Sequence, residues 1–521
     1  MGNSSSKFQT GSGDLQATLK QWMAILVGIV LAMVVGFFVG TESWRILMMG
    51  TGIIVACAIV ISFGSRAWVL ILLGWAFVGS TEILRLPFSL RDMTVMVAFV
   101  ACITARILNH SGSFSWRHPL DVLLLVNFFW LGVTFLRFPV GFRALGTEMV
   151  GGRPYLNAAI AGCAYWVLRD SSQHPSLLAR APLFYLASNA AFTMFNIIAY
   201  LFPSLSVYLW FFNASVDLSM YNAEASGMAW YSVRLVGLKS LGLSLVYVLC
   251  AYYPPRTLFN PLRFRSYLFV GGLACIFLTG FRSDLLLAIA AIMVGTWLHS
   301  GWREVWGTMA IATVFFGVIC FGQGRVYDLP APVQRTLAWL PGRWSTKAIE
   351  EGRSSTASRI DWWLSIIHEG EIRNPLFGDG IGTSKEDLAW MARARSAREA
   401  FNITGGYHNG PLSTIKHFGV VGLMLLYAFM YAAAKHAVRA VQRLRGTKFQ
   451  PLAILLATWL VWGPVQFTLI YGDDVGKLIE LAFFCAFIRA LLYLADEPRA
   501  LHGNDYGGKP TLTRQRATAP A

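Results

Sequence analysis

The sequence predicts an all-α fold, a polytopic transmembrane helix bundle with one large loop outside the membrane that carries amphipathic helices. Of the 521 residues, 55% are hydrophobic and only 13% are charged, and the mean hydropathy is +0.53. Apolar runs of the length that a bilayer demands recur along the chain. Soluble globular proteins do not combine these values, so the composition excludes a soluble enzyme.

The apolar runs predict about fourteen spans, since a helix of about 20 apolar residues crosses the hydrocarbon core. The predicted spans are 22–39, 46–63, 67–79, 92–107, 119–136, 153–168, 183–203, 237–252, 266–280, 283–298, 305–322, 411–434, 452–470 and 475–494. Residues 1–21 and 496–521 are polar and predict disordered cytoplasmic tails. The bundle then has an N-terminal part, 22–322, and a C-terminal part, 411–495, separated by the hydrophilic loop 323–410.

The charge balance predicts the orientation of the bundle. The chain has 43 Lys and Arg against 27 Asp and Glu, a net charge of +16. In a soluble protein this excess would suggest nucleic acid, but in a membrane protein basic residues concentrate in cytoplasmic loops. That asymmetry places both termini in the cytoplasm and the loop 323–410 outside, and it leaves no reason to expect a nucleic-acid partner.

Cysteine placement indicates neither a disulfide framework nor a metal site. All seven cysteines fall within predicted spans, where a thiol packs as a small apolar group. They are Cys57, Cys102, Cys163, Cys250, Cys275, Cys320 and Cys485. Because no CxxC motif and no zinc-type Cys/His spacing is present, we expect no metal and no cofactor.

Two arginines on predicted outer segments run against the charge asymmetry. Arg282 stands in a short turn between two spans, and Arg234 heads a span after a semi-apolar segment. Each offers a permanently charged planar fork suited to phosphate oxygens. The alternative is an arginine that reaches lipid headgroups or, for Arg282, pairs with Asp284. The residues alone leave both interpretations open.

The long loop contains a segment with the pattern of an amphipathic helix. Residues 354–368 start with capping residues and repeat apolar side chains at helical spacing. The apolar positions are Ile360, Trp363, Leu364 and Ile367. We expect this helix to lie on the membrane or to pack over the spans.

A glycine-rich turn, 374–382, follows that helix. Gly378-Asp379-Gly380 would let backbone N–H groups approach an anion closely, although a flexible turn without a ligand has the same pattern. Three neighbouring arginines favour the anion: Arg353, Arg359 and Arg373.

His408 and Asn409 precede a span in a bent, glycine-rich approach to a helix start. A neutral imidazole there can collect a proton near pH 7, whereas a lone histidine is often structural. In the last outer loop, Asp473 and Asp474 form an acidic pair, a thin basis for a divalent cation site.

Three blocks in this chain order resemble the bacterial O-antigen ligase and polysaccharide polymerase superfamily. They run from Thr279 to Ser283, from Ser358 to Gly382, and from His408 to Gly422. The third is the most specific, because His408-Asn409 is followed at a set spacing by Gly419 and Gly422. Arg234-Leu235-Val236-Gly237 also resembles the earlier outer arginine of this family.

The resemblance implies inverting, metal-independent glycosyl transfer at the periplasmic face of the bacterial inner membrane. The donor would be a glycan on undecaprenyl pyrophosphate, and the acceptor a hydroxyl of a glycan or of lipid A-core. Arg282 and Arg234 would stabilise the departing pyrophosphate, and His408 would deprotonate the acceptor. The expected substrate-binding residues are Arg353, Arg359, Gly378, Asp379, Gly380, Asn409, Asp473 and Asp474.

Two other functions remain open at this stage. A transporter or flippase of lipid-linked sugars would also need many spans and outward arginines, but it has no use for His408-Asn409 at one face. A protein O-oligosaccharyltransferase would share the three blocks. The expected partners are membrane lipid and, among proteins, a chain-length regulator or a flippase.

Overall fold

The computed structural model describes residues 44–77, 88–108, 117–142, 147–205, 209, 237–393 and 397–496. The tail 1–21, the first predicted span, almost all of the tail 496–521, and Arg234 lie outside the described residues.

The described residues form an almost entirely helical fold, which confirms the predicted fold class. The N-terminal part contains α1 (Trp44–Phe63), α2 (Trp68–Leu73), α3 (Leu90–Leu108), α4 (Pro119–Arg137), α5 (Gly152–Arg169), α6 (Pro175–Ala179), α7 (Ala181–Leu201), α8 (Leu238–Tyr252), α9 (Phe264–Thr279), α10 (Arg282–Ser300) and α11 (Trp302–Gly322). The loop contains α12 (Ala331–Leu337), α13 (Thr346–His368), α14 (Lys385–Arg393) and α15 (Ala397–Thr404). The C-terminal part contains α16 (Gly410–Arg443), α17 (Gln450–Val465), a π-helical turn (Gln466–Ile470) and α18 (Asp474–Asp496).

Every predicted span from 46–63 onward overlaps helical residues, but the predicted spans 46–63 and 67–79 share one helical segment, Gly50–Ala76. Within the described residues, eight helical segments are long and apolar enough to cross a membrane. The apolar runs in the sequence therefore located the helices, while the total number of spans stays a prediction.

The last three long helices form the centre of the bundle. α16 packs against α17, α18 and α4, and α18 packs against α5. α17 also contacts α8 and α10, so it joins the C-terminal helices to the α8–α10 group. Within that group, a Cβ on Gly242 would lie 2.9 Å from the carbonyl oxygen of Gly272. Small residues thus allow close helix contact, as is common where helices pack in a bilayer.

A short antiparallel ladder ties the loop to the N-terminal part. Strand β1 (Met149–Val150) pairs with β2 (Thr383–Ser384), and Met149 lies opposite Ser384. β1 directly precedes α5, and β2 directly follows the glycine-rich turn. The ladder therefore fixes one end of that turn against the bundle.

Candidate active site

His408 lies in a tight turn between α15 and α16. Its φ angle is 55°, the left-handed region that non-glycine residues seldom adopt, and Gly405 nearby has φ 73°. The backbone N–H of Tyr407 donates to the Gly405 carbonyl at 3.0 Å and to Ser413 Oγ at 3.2 Å. A strained residue of this kind persists only where its surroundings hold it, and such residues cluster at functional sites.

Aromatic rings surround the His408 imidazole. The ring centroids of Phe401 and Tyr471 lie 4.7 and 5.1 Å from that of His408, and Trp362 lies at 6.2 Å. Burial, with a contribution from the positive charge of Arg359, lowers the pKa of His408 below its ordinary value. The imidazole is therefore neutral at pH 7 and able to accept a proton.

Helix α13 holds the His408 turn through two tryptophans. Trp362 Nε1 donates to Asn402 Oδ1 at 2.6 Å, and Trp363 Nε1 donates to the Tyr407 carbonyl at 2.9 Å. Trp362 is buried together with Ile366 and Tyr407. The helix lies where the sequence predicts one, but the expected start at residues 354–356 is wrong, because the helix begins at Thr346 with Ser345 as its cap. Of the residues that pack under the turn, only Trp363 was among the predicted apolar positions.

Three of the predicted apolar positions of α13 form an exposed stripe. Ile360, Leu364 and Ile367 are 49%, 48% and 61% exposed. Of the two expected arrangements, this stripe fits a helix that offers an apolar surface to lipid.

The glycine-rich turn docks on a break in α16. Gly419 has φ 73° and ψ 179°, which interrupts the helix and leaves the carbonyls before it without helical partners. The N–H groups of Asp379 and Gly380 donate to the carbonyls of Lys416 and His417 at 2.6 and 3.1 Å. In return, the N–H of Val420 donates to the Pro375 carbonyl at 2.8 Å. Of the N–H groups expected to face an anion, those of Asp379 and Gly380 are therefore engaged with α16, and that of Gly378 donates to the Asn374 carbonyl.

Asp379 completes this docking with its side chain. Its carboxylate accepts hydrogen bonds from the N–H groups of Arg373 and Asn374, and it lies 3.0 Å from Lys416 Nζ. Burial alone would raise the pKa of Asp379, but the bonds from Lys416 and the two N–H groups outweigh it and lower the pKa. The turn thus positions α16, and substrate contact by Gly378, Asp379 and Gly380 stays a prediction.

Asn409 caps α16, since its Oδ1 accepts the Leu412 N–H at 3.0 Å. Such a cap fixes where the helix starts, immediately after His408. A substrate contact by Asn409 stays a prediction beside this local role.

A buried ion pair lies close behind the His408 turn. His417 Nδ1 lies 2.6 Å from Asp474 Oδ2, and its Nε2 lies 2.9 Å from the Thr404 carbonyl oxygen. Asp474 Oδ1 accepts the N–H of Val475 at 2.7 Å. The acidic pair predicted from the sequence therefore divides into one buried carboxylate, Asp474, and the more exposed Asp473.

Asp473 lies at the start of α18 near the ring of Tyr471. A Cβ on Gly476 would lie 2.4 Å from Asp473 Oδ2, so the carboxylate rests against the helix backbone. Desolvation by the surrounding protein, together with the charge of Asp474, raises the pKa of Asp473 to about 6. Asp473 thus exchanges a proton near neutral pH on the same side as His408.

Arg282 belongs to a second polar group, at the junction of α9 and α10. It is the first residue of α10, and its Nε donates to the Arg335 carbonyl in α12 at 3.2 Å. Asp284, which is fully buried, lies 2.8 Å from Lys239 Nζ of α8. No contact within the described residues ties Arg282 directly to His408, but α12 packs against both α10 and α13.

The two predicted loop arginines have different surroundings. Arg359 is exposed on α13 and close enough to His408 and Tyr471 to influence the pKa of both. Arg353 is exposed nearer the start of the same helix, and no contact in the described part of the chain ties it to His408. The structure therefore brings Arg359, His408 and Asp473 into one region.

Three residues of these groups received no role from the sequence. His417 is an ionisable residue inside a predicted span, which is a functional signal in membrane proteins. Lys239 is a basic residue at an outer span start, the signal that singled out Arg234. Tyr471 carries no comparable signal, because aromatic residues are common at membrane interfaces.

A polar cavity of about 560 Å³ borders the ion pair. Its lining includes Glu371, Arg373, Asn402, Lys416 and His417. A mixture of carboxylates, amides and cations in a cavity of this size suits a hydroxyl-rich ligand. Asn402 also bonds Trp362, so the cavity reaches the packing around His408.

Comparison with protein families adds to this geometry. One family model matches residues 267–427. The match is to O-antigen ligase. It covers all three sequence blocks and confirms the resemblance to O-antigen ligases over this part of the chain. The matched residues include Arg282, Arg359, His408 and His417, while Asp473 and Asp474 follow it.

The O-antigen ligase match supports a membrane enzyme of the ligase or polymerase type, with lipid-linked glycan and polysaccharide as substrates. No curated protein matches the chain.

Proposed function

We propose that the protein transfers a glycan from undecaprenyl pyrophosphate to an acceptor hydroxyl, with inversion at the anomeric carbon and without a metal. The reaction would take place at the periplasmic face of the bacterial inner membrane, with both termini in the cytoplasm. The observation that carries the proposal is His408, a neutral imidazole in a strained turn inside the matched region.

The chemistry assigns one role to each polar group. His408 takes the proton of the acceptor hydroxyl, whose oxygen attacks the anomeric carbon as the bond to pyrophosphate breaks. Arginines stabilise the charge that grows on the pyrophosphate. Arg282 at the start of α10 and Arg234 are our candidates for this role, and Arg359 is a cation whose charge lowers the pKa of His408.

Purified protein in lipid vesicles, supplied with a lipid-linked glycan and an acceptor, tests the proposal. His408→Ala should bind the donor normally but transfer about 100-fold to 10,000-fold more slowly, the usual range for losing a general base. The matched control is His368→Ala, because His368 is an exposed histidine at the end of α13. Normal transfer by His408→Ala would leave the base to be sought at Asp473 or Asp474.

A deletion strain distinguishes ligase from polymerase. A surface glycan with a single repeat on the lipid A-core would indicate a lost polymerase. Free polymer on the lipid carrier would indicate a lost ligase. An unchanged glycan pattern would contradict both activities.

A further inference from the structure

His417 is a charged residue that the proposed reaction does not use. Its side chain is only 10% exposed, and both ring nitrogens face oxygens, Oδ2 of Asp474 and the Thr404 carbonyl. A carboxylate and a carbonyl accept hydrogen bonds and donate none. Both nitrogens must therefore carry a hydrogen, so the ring is an imidazolium compensated by Asp474.

This one ring links the chain on both sides of His408. Thr404 ends α15 and leads into the turn that contains Gly405 and His408. Asp474 begins α18, just after Tyr471, whose ring lies against His408. The two bonds of His417 therefore join the end of α15, just before the His408 turn, to the start of α18, next to Tyr471.

The position of His417 within α16 is itself fixed. Its carbonyl accepts the Gly380 N–H, and a Cβ on Gly378 would lie 2.4 Å from that carbonyl oxygen. The break at Gly419 follows directly. The docked glycine turn thus holds the backbone of His417 in place while its ring holds Thr404 and Asp474.

We infer that His417 is a positioning residue for glycosyl transfer: its ring ties the Thr404 carbonyl to Asp474 and so fixes His408 between Phe401 and Tyr471. The inference rests on the proposed function, since it takes His408 as the base. A displacement of about 1 Å at a reacting group can cost about 100-fold in rate. The left-handed conformation of His408 would relax once the Thr404 carbonyl loses its donor.

Two single variants separate the bonds from the charge. In His417→Gln, both donor hydrogens sit on one nitrogen, whereas the two ring nitrogens of His417 face separate acceptors, so the variant keeps at most one of the bonds to Asp474 and Thr404 in its present geometry. We therefore expect kcat to fall about 10-fold to 100-fold with the donor KM unchanged. In Asp474→Asn, the new amide can donate to Nδ1 while its oxygen keeps the Val475 N–H. The neutral ring still donates from Nε2 to Thr404, so the fall in kcat should be smaller than that in His417→Gln.

A matched control and a double variant guard against misfolding. His299→Gln removes another histidine whose Nε2 lies 3.1 Å from a backbone carbonyl, that of Cys250, and should leave kcat unchanged. If His417→Gln fails to assemble, the double variant His417→Leu/Asp474→Asn leaves no unpaired buried charge and has no side-chain donor for the Thr404 carbonyl. Gel filtration and thermal unfolding in detergent report folding, so kcat is expressed per folded enzyme.

The possible outcomes are distinct. Wild-type kcat in folded His417→Gln, or in the folded double variant, would overturn the inference. An Asp474→Asn loss as large as that of His417→Gln would also overturn it, because the charge and not the bonding would then matter. Absence of transfer by the wild-type protein would contradict the proposed function instead.

Discussion

The ammonium group of Lys239 lies 2.8 Å from the carboxylate of Asp284, two helices away along the chain. Asp284 is fully buried at the start of α10, just after Arg282. A buried carboxylate needs a cationic or hydrogen-bonding partner. Lys239 therefore compensates the negative charge of the buried Asp284 carboxylate.

Replacement of Arg282 by lysine should lower turnover by about 100-fold while the protein remains in the membrane. Lysine keeps the charge but loses the planar fork that matches phosphate oxygens. Transfer from lipid-linked donor in vesicles measures the effect. Arg303→Lys, at an exposed position in the first turn of α11, is the control. Equal rates for both variants would favour an arginine that only reaches lipid headgroups.

The transfer rate should depend on pH through His408. Because burial and Arg359 lower the pKa of His408, the basic form persists at pH 7 and is lost only as the pH falls through that lowered value. Arg359→Gln removes a nearby positive charge and should move the acid limb of the rate profile to higher pH. Lys347→Gln, an exposed cation on the same helix, should leave the limb in place.

Asp473 is a second group that titrates in this range, with its pKa raised to about 6. Asp473→Asn should remove a titration near that pH and leave the limb that belongs to His408. If the whole acid limb disappears in Asp473→Asn, Asp473 rather than His408 is the base. The measurement is the pH profile of the transfer rate for the wild-type protein and for Asp473→Asn in the same buffers.

Gly419→Ala should destabilise the protein by about 2 kcal/mol or more, since alanine is strained at a positive φ and its Cβ would overlap a neighbour. That Cβ would lie 2.2 Å from the Leu376 carbonyl oxygen. The control is Gly271→Ala in α9, where no atom lies within 4 Å of the added carbon. Thermal unfolding in detergent compares them, and equal melting temperatures would show that the break tolerates a side chain.

Transfer should continue in the presence of EDTA. Within the described residues, no group of three His, Cys, Asp or Glu side chains is placed to hold a metal ion. In the proposed reaction, arginines would supply the positive charge that a divalent ion supplies in other transferases. Activity that disappears with the chelator and returns with magnesium or manganese would place Asp473 and Asp474 at a metal.

The sequence located the helices and the His408 turn because both depend on local patterns. A long apolar run indicates a span whatever the rest of the fold is, and the glycines around His408 indicate a bend before a helix start. The docking of Asp379 and Gly380 on α16 was not foreseen, since it depends on a break at Gly419 inside a continuous apolar run. The ion pairs His417–Asp474 and Lys239–Asp284 join residues distant in sequence, and only the packing of helices selects such partners.

The reciprocal bonds around Gly419 bear on segment exchange between this chain and other proteins that match the same family model. Four backbone hydrogen bonds join residues 416–421 of α16 to residues 375–380. A chimera with its junction between these two segments would leave backbone N–H and carbonyl groups on both sides without their hydrogen-bond partners. A graft that exchanges substrate specificity should therefore take residues 374–382 and 408–421 together from the same parent.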